Sequence, residues 1–216
     1  MSSQRLWACL FLLALPTVGQ AGEDWSIVPR RNVGPLVAGM TEEALISTLP
    51  TGLVRRVPRN LEEGQSTCGT TVFAGTPDEF FVEWRGAPIF DYPDVATVAD
   101  CAALPPLRDP VFATITRGRW RTADGVGAGI TLEKLSEIVG RPITFSMCGC
   151  DFGGRVFDGA PDGLSLILDW PAQAEAALGI VPRHEDDYAV TTSDINPAAM
   201  AKFTVSAIRV DLLAAP

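Results

Sequence analysis

A short block of residues that occurs twice constrains the fold of this chain more than any other feature. Positions 38–45 read Ala-Gly-Met-Thr-Glu-Glu-Ala-Leu, and positions 128–135 read Ala-Gly-Ile-Thr-Leu-Glu-Lys-Leu. Thr41 and Thr131 are suited to be helix N-caps, because a threonine hydroxyl can accept a backbone N–H of the first turn. Glu42 then favours the positive end of the helix dipole. The two blocks therefore predict two helices that begin at equivalent places, as in an internal repeat.

A second pair of matching segments follows the two helices. A turn over residues 75–78 leads into an apolar strand over 80–84, and a turn over 159–162 leads into a strand over 166–170. Both of these strands close on an acidic residue and a tryptophan. Further strands are predicted over residues 70–74, 143–147, 154–157 and 203–212.

Together these elements predict an α+β fold. Two tandem helix-plus-antiparallel-strand repeats, over residues 22–120 and 121–216, are expected to form a shared sheet with the helices packed on one face. The physical reason is that an amphipathic helix needs a sheet face on which to bury its apolar stripe, and two half-sheets side by side supply one.

The repeated Gly-Met-Thr helix start with its strand meander resembles the tandem repeat of the β-lactamase inhibitor protein family. A single copy resembles the small outer-membrane assembly lipoprotein of the SmpA/BamE kind. Other segments look similar to an uncharacterised family of secreted proteobacterial proteins. These segments are Val33-Gly34-Pro35, Trp120-Arg121-Thr122, Asp151-Phe152-Gly153-Gly154, and Ser193-Asp194 with Pro197-Ala198. The resemblance implies a fold and an export route, and no activity that carries over.

The N-terminus has the pattern of a secretory signal peptide over residues 1–21. Arg5 precedes an uncharged apolar run over residues 6–15, and small residues lead up to a cleavage site after Ala21. The run is too short to span a bilayer, which needs ~20 apolar residues. We therefore expect a periplasmic or secreted protein with no membrane span.

The net charge of −9 limits the classes of partner, and the 47% hydrophobic content indicates whether the chain folds. An acidic chain is not attracted electrostatically to nucleic acid or to anionic lipid. The hydrophobic content excludes a disordered chain. A protein partner in the cell envelope is the expected class, and no cofactor is predicted.

The cysteines of the predicted mature chain are candidates for disulfide bonds, because exported proteins fold in an oxidising compartment. Cys68, Cys101, Cys148 and Cys150 allow three pairings. A metal site is the rival interpretation, but the spacing of Cys148 and Cys150 and the distant single His184 do not favour it. On a strand, Cys148 and Cys150 would lie ~6.5–7 Å apart, at the limit of disulfide geometry. We therefore predict a bridge from Cys68 or Cys101 to this pair.

No catalytic, cofactor-binding or metal-ligating residue is predicted. The single His184 lies in a charged run that is typical of a solvated loop, and the chain has no Gly-x-Ser-x-Gly nucleophile elbow. Glu83 and Asp169 hold equivalent places and raise the alternative of an acid/base pair. Because side chains alternate along a strand, we interpret both acids as facing solvent, with Trp84 and Trp170 facing the core.

The aromatic residues suggest a binding role. Of Trp84, Trp120, Trp170, Phe80 and Phe81, most should pack in the core, and one or two should serve an exposed surface. The candidates for a binding face are Trp84, Trp120 and Trp170. The prediction is a non-catalytic, exported periplasmic binding protein that engages a protein or envelope component through an exposed sheet face. A structural envelope protein and a small carboxylate-dependent hydrolase are the alternatives.

The export hypothesis predicts that the mature protein begins at Gly22. Intact-mass measurement of protein purified from the periplasm should give the mass of residues 22–216. A protein that retains Met1, or that carries lipid on Cys9, would contradict the predicted cleavage.

Overall fold

Antiparallel β-structure dominates the computed structural model. The structure describes residues 24–61, 64–91, 94–147, 153–169 and 189–213. The predicted signal peptide over residues 1–21 lies outside this part of the chain, as do Cys148, Cys150, Trp170 and His184.

The described chain contains thirteen short strands and four short α-helices. The strands are β1 Ile27–Val28, β2 Asn32–Val33, β3 Leu36–Val37, β4 Val54–Asn60, β5 Ser66–Val72, β6 Phe80–Arg85, β7 Ile89–Phe90, β8 Arg108–Ile115, β9 Thr144–Ser146, β10 Val156–Asp158, β11 Leu164–Asp169, β12 Ala189–Thr191 and β13 Thr204–Asp211. The helices are α1 Glu42–Thr48, α2 Val98–Ala103, α3 Leu132–Val139 and α4 Pro197–Met200. No helix in the described ranges is long and apolar enough to cross a membrane.

The strands form three sheets. The main sheet has seven strands, six of them in the order β11-β13-β8-β6-β5-β4, while β7 pairs with β5. Two three-stranded sheets, β1-β2-β3 and β10-β9-β12, accompany it. The core combines side chains of the main sheet, such as Val82 and Leu166, with Val33 and Phe145 of the small sheets. Strands from both predicted halves therefore contribute to one continuous core.

The two predicted helix starts are confirmed. The Thr41 hydroxyl accepts from the Ala44 N–H at 3.2 Å and begins α1. The Thr131 hydroxyl accepts from the Lys134 N–H at 3.1 Å and begins α3. Each cap is joined to the main sheet by a bridge, Thr41 to Arg108 of β8 and Thr131 to Thr204 of β13.

The predicted α+β architecture, two repeats whose helices pack on one face of a shared sheet, is wrong. The longest helix has 8 residues and the others have 7, 6 and 4. Helices of one or two turns bury too little surface to cover a seven-stranded sheet. Much of the buried apolar surface comes instead from residues of the small sheets and of connecting segments, including Ile27, Leu36 and Trp120.

The predicted disulfide between the two halves is also wrong for the pair that the structure describes. Cys68 of β5 is bonded to Cys101 of α2, with Cα atoms 5.3 Å apart. The bond lies within the first half because α2 packs directly against the main sheet at this point. In the chain-entropy view, closing the 33-residue separation stabilises the fold by roughly 3–4 kcal/mol.

A buried ion pair holds α1 against the main sheet. The Glu42 side chain is 2% exposed, and its carboxylate accepts hydrogen bonds from both Nε and Nη2 of Arg56 on β4. The same carboxylate accepts from the Thr70 hydroxyl at 2.7 Å and from the Leu107 N–H at 3.3 Å. Such a charge is stable in the interior only when its oxygens are satisfied in this way.

The ion pair extends into a network that reaches two further elements. Arg56 Nη1 donates to the carbonyl oxygens of Cys101 and Leu104 at the end of α2, at 3.1 and 2.6 Å. The Thr70 hydroxyl accepts from Trp84 Nε1 of β6 at 2.8 Å. The network thus connects both helices of the first half with β4, β5 and β6.

We predict that Glu42→Gln destabilises the protein by ~3 kcal/mol at neutral pH, because Arg56 is left with an uncompensated charge. Burial raises the pKa of Glu42, but hydrogen bonds from Arg56 and Thr70, with the Arg56 charge, lower it by more, to below its ordinary 4.5. The contribution of the ionised Glu42 side chain to the free energy of unfolding is therefore complete above pH 4.5. It is lost as the pH falls through the lowered pKa of Glu42.

Urea denaturation of the wild type and the variant, from neutral pH to pH ~3, measures this difference. The exposed neighbour gives a matched control, Glu43→Gln, which should leave the unfolding free energy within ~0.5 kcal/mol of the wild type. Equal losses in the two variants would show that Glu42 is not specially anchored.

Candidate functional site

One face of the main sheet, opposite the Glu42 network, is formed by alternate residues of its strands. In the register, Phe81 lies opposite Thr71 and Thr114, and Thr114 lies opposite Arg209. Their sequence neighbours, such as Val72 and Val82, point into the core. We call this surface the outer sheet face. Its main residues are Arg55, Arg59, Thr71, Phe81, Glu83, Phe112, Thr114 and Arg209.

The ring of Phe81 lies flat against the outer sheet face because Gly69 of β5 leaves room for it. A Cβ atom at Gly69 would lie 2.2 Å from Phe81 Cζ, so any other residue would displace the ring. Arg59 of β4 covers the same ring, with its Cζ 4.7 Å from the ring centroid. This is a cation–π arrangement, in which the guanidinium meets the negative face of the ring.

A second arginine and aromatic pair lies beside the first. Arg209 Cζ is 3.7 Å from the centroid of the Phe112 ring. Arg209 Nη2 also donates to Glu83 Oε2 at 2.7 Å, and both side chains are partly exposed. Glu83 is therefore held by a surface ion pair, which also positions the Arg209 guanidinium over the ring.

A half-open hollow of about 110 Å³ lies on this face. It has the volume of a few water molecules or of one small polar group. Its lining residues are Arg59, Thr71, Glu79, Phe80, Phe81, Thr114 and Thr116.

Two residues that line the hollow each carry a buried polar atom without a protein partner in the described part of the chain. The atoms are Nη1 of Arg59 and the hydroxyl oxygen of Thr114, whose residue is 8% exposed. Burial lowers the pKa of Arg59, and the nearby Arg209 charge lowers it further, against the opposing effect of Glu83. A guanidinium nevertheless keeps its charge in a protein. The hollow therefore offers a charged N–H and a hydroxyl that the fold itself does not satisfy.

The structure removes two of the three candidate binding-face tryptophans from the surface. Trp84 is 4% exposed and Trp120 is fully buried, and the Trp120 Nε1 donates to the Asp78 carbonyl at 2.9 Å. Trp170 lies outside the described residues. Of the other aromatics considered, Phe80 is buried and Phe81 lies on the outer sheet face. An indole in the core of the sheet cannot contact a partner.

The structure does not bring Glu83 and Asp169 together as an acid/base pair. Glu83 lies on β6 and Asp169 on β11, and β8 and β13 lie between them. Three strand spacings put the two backbones ~14 Å apart, beyond the ~5–9.5 Å of paired glycosidase carboxylates. The predicted alternation itself is correct, since Asp169 is exposed and Trp84 faces the core next to the outward Glu83.

A larger, shallow groove of about 320 Å³ lies at the end of α3. Its cation, Arg141, is exposed and already contacts Asp158 at 3.5 Å and the Ala160 carbonyl at 3.2 Å. The groove therefore lacks the unsatisfied, buried donors of the smaller hollow. Within the described ranges, no three His, Cys, Asp or Glu side chains are grouped so that they could hold a metal ion.

Sequence reasoning missed Arg59, Phe112 and Arg209. The alternation of β13 contained a signal, because Arg209 stands between two apolar residues, Ile208 and Val210, and so must point away from the core. No comparable signal exists for Arg59, since Pro58 and the other arginines of β4 obscure the alternation.

Comparison with known proteins identifies no family. No family model matches the chain, and no curated protein matches it. Among solved structures, the chain is similar to the uncharacterized protein YfeY from Escherichia coli, at 13% sequence identity and a TM-score of 0.46. That match covers 86% of this chain and 97% of YfeY.

Proposed function

We propose that this chain is an exported, non-catalytic binding protein that engages a protein or another component of the cell envelope through its outer sheet face. The observation that carries the proposal is the pair of arginine-covered rings, Phe81 with Arg59 and Phe112 with Arg209. Aromatic residues and arginine are the types enriched at protein interfaces.

The geometry of the face supports recognition rather than chemistry. Phe81 is seated over Gly69, and Arg209 is held by Glu83, so the contact groups are ordered before a partner arrives. Pre-ordered side chains lose less conformational entropy on association than free ones. The acid pair that motivated a hydrolase alternative is far apart, which leaves that alternative without geometric support.

Export is supported by two independent features. The signal-peptide pattern over residues 1–21 directs the chain out of the cytoplasm. The Cys68–Cys101 bond is of the kind that persists in an oxidising compartment. A component of the periplasm or of a membrane surface is therefore the class of partner that the protein would meet.

We predict that Phe112→Ser weakens capture of a partner by at least about tenfold, since truncation of an interface hot spot costs about 2 kcal/mol or more and about 1.4 kcal/mol is tenfold. The assay is a pull-down with the tagged mature protein from periplasmic and membrane extracts, quantified by mass spectrometry. Bound components must be retained by the wild type and depleted with the variant.

Ile46→Ser is the matched control, because Ile46 is 51% exposed but lies on α1, away from the outer sheet face. It should capture the same components as the wild type. Circular dichroism and thermal melting establish that both variants are folded. Capture of identical components by the wild type and Phe112→Ser would contradict the proposed face, and capture of nothing would favour a structural role.

A further inference from the structure

The hollow beside Phe81 concentrates unsatisfied polar atoms in a way that points to a ligand. In the described chain, three buried side-chain nitrogen or oxygen atoms have no partner. Two of them, Arg59 Nη1 and Thr114 Oγ1, belong to residues that line this one hollow. A buried donor without a partner destabilises a fold. A ligand that forms hydrogen bonds with both groups would therefore stabilise the folded protein.

The neighbouring carboxylates do not serve as that ligand. Glu83 accepts from Arg209 at 2.7 Å. Glu79 lines the hollow, but its Oε2 accepts from the Gly75 N–H at 2.7 Å and its Oε1 lies 3.5 Å from Arg117. Each acid thus accepts a hydrogen bond from a group other than Arg59.

We infer that the hollow binds a carboxylate group, with Arg59 Nη1 and Thr114 Oγ1 as its two donors and the Phe81 ring as an apolar wall. The inference rests on the proposed function and gives its binding face a chemical preference. A charge-assisted hydrogen bond from Arg59 supplies the affinity, and the Thr114 hydroxyl supplies the orientation.

A carboxylate suits the hollow better than a phosphate. Its single charge matches the single guanidinium of Arg59. A phosphate brings a charge of about −1.5 to −2 and needs more donors. The carboxylates of Glu79 and Glu83 close by would repel the added charge.

The test is a titration of the folded mature protein followed by NMR at the Arg59 side-chain Nε–Hε resonance. Three probes are compared at equal ionic strength, namely benzoate, an acetyl- and amide-blocked Gly-Asp-Gly peptide, and inorganic phosphate. Benzoate represents a free small carboxylate, and the peptide represents the side chain of a protein partner. We expect a saturable shift with a carboxylate and at least about tenfold weaker binding of phosphate.

Variants assign the binding to the two donors. Arg59→Gln and Thr114→Val should each weaken carboxylate binding by about tenfold or more, as expected for loss of a hydrogen bond to a charged group. Thr114→Ser keeps the hydroxyl and should bind like the wild type. Arg31→Gln is the charge-matched control, because Arg31 is exposed in the turn between β1 and β2 and is not part of the outer sheet face.

Stability separates loss of binding from loss of the fold. Thr114→Val removes a buried hydroxyl that has no protein partner, so its melting temperature should equal or exceed that of the wild type. In Arg59→Gln, where the arginine resonance is absent, binding is followed at the backbone amide resonances of the residues that line the hollow.

Three outcomes would overturn the inference. They are no saturable shift with either carboxylate, equal binding by Arg59→Gln, and tighter binding of phosphate. If both carboxylates fail while Phe112→Ser still loses a captured partner, the carboxylate site fails and the proposed function stands. If benzoate binds at Arg59 but capture does not depend on Phe112, the site stands and the proposed function fails.

Discussion

A carboxylate that leaves water must find a donor for each of its oxygens, and Glu42 is almost wholly buried. Its partners lie on different elements: Arg56 on β4, Thr70 on β5, and Leu107 just before β8. Each of these elements must therefore be in place at the same time. The requirement fixes α1 on the sheet and, through the contact of Arg56 with the Leu104 carbonyl, fixes the end of α2 as well.

The two faces of the main sheet differ in whether their buried polar groups have hydrogen-bond partners. On the inner face the Glu42 network is fully hydrogen-bonded, and the Cys68–Cys101 bond adjoins it. On the outer sheet face Arg59 and Thr114 carry atoms without a protein partner in the described chain. The unpartnered groups of the outer sheet face therefore lie on a sheet whose inner face is held by hydrogen bonds and a disulfide.

The sequence predicted what depends on local chemistry. The caps at Thr41 and Thr131 could be predicted because a cap needs only a hydroxyl and the backbone N–H groups of the turn that follows it. The orientation of Trp84 could be predicted from the two-residue period of a strand. The fold class and the disulfide pairing failed because both depend on which distant elements pack together. Spacing along the chain does not show that α2 carries Cys101 to Cys68.

The candidate site contains other aromatics than those predicted from the sequence. The predicted binding-face candidates were Trp84, Trp120 and Trp170, whereas the outer sheet face carries Phe81 and Phe112, and Trp84 and Trp120 prove to be core residues. Burial of Glu42 was missed because an acid after an N-cap is normally solvated. The matching block offered a sign, since Leu132 occupies the corresponding position there and is also buried.

The central claim, that the Glu42–Arg56 pair acts as one unit in holding the first half together, is tested most directly by a double-mutant cycle. Glu42→Leu, Arg56→Met and the double variant are compared by urea denaturation at neutral pH. Each single change leaves one unpaired buried charge, whereas the double change leaves none. The account predicts a coupling energy of about 2 kcal/mol or more, with the double variant at least as stable as the weaker single variant. Additive losses, with coupling below ~0.5 kcal/mol, would contradict it.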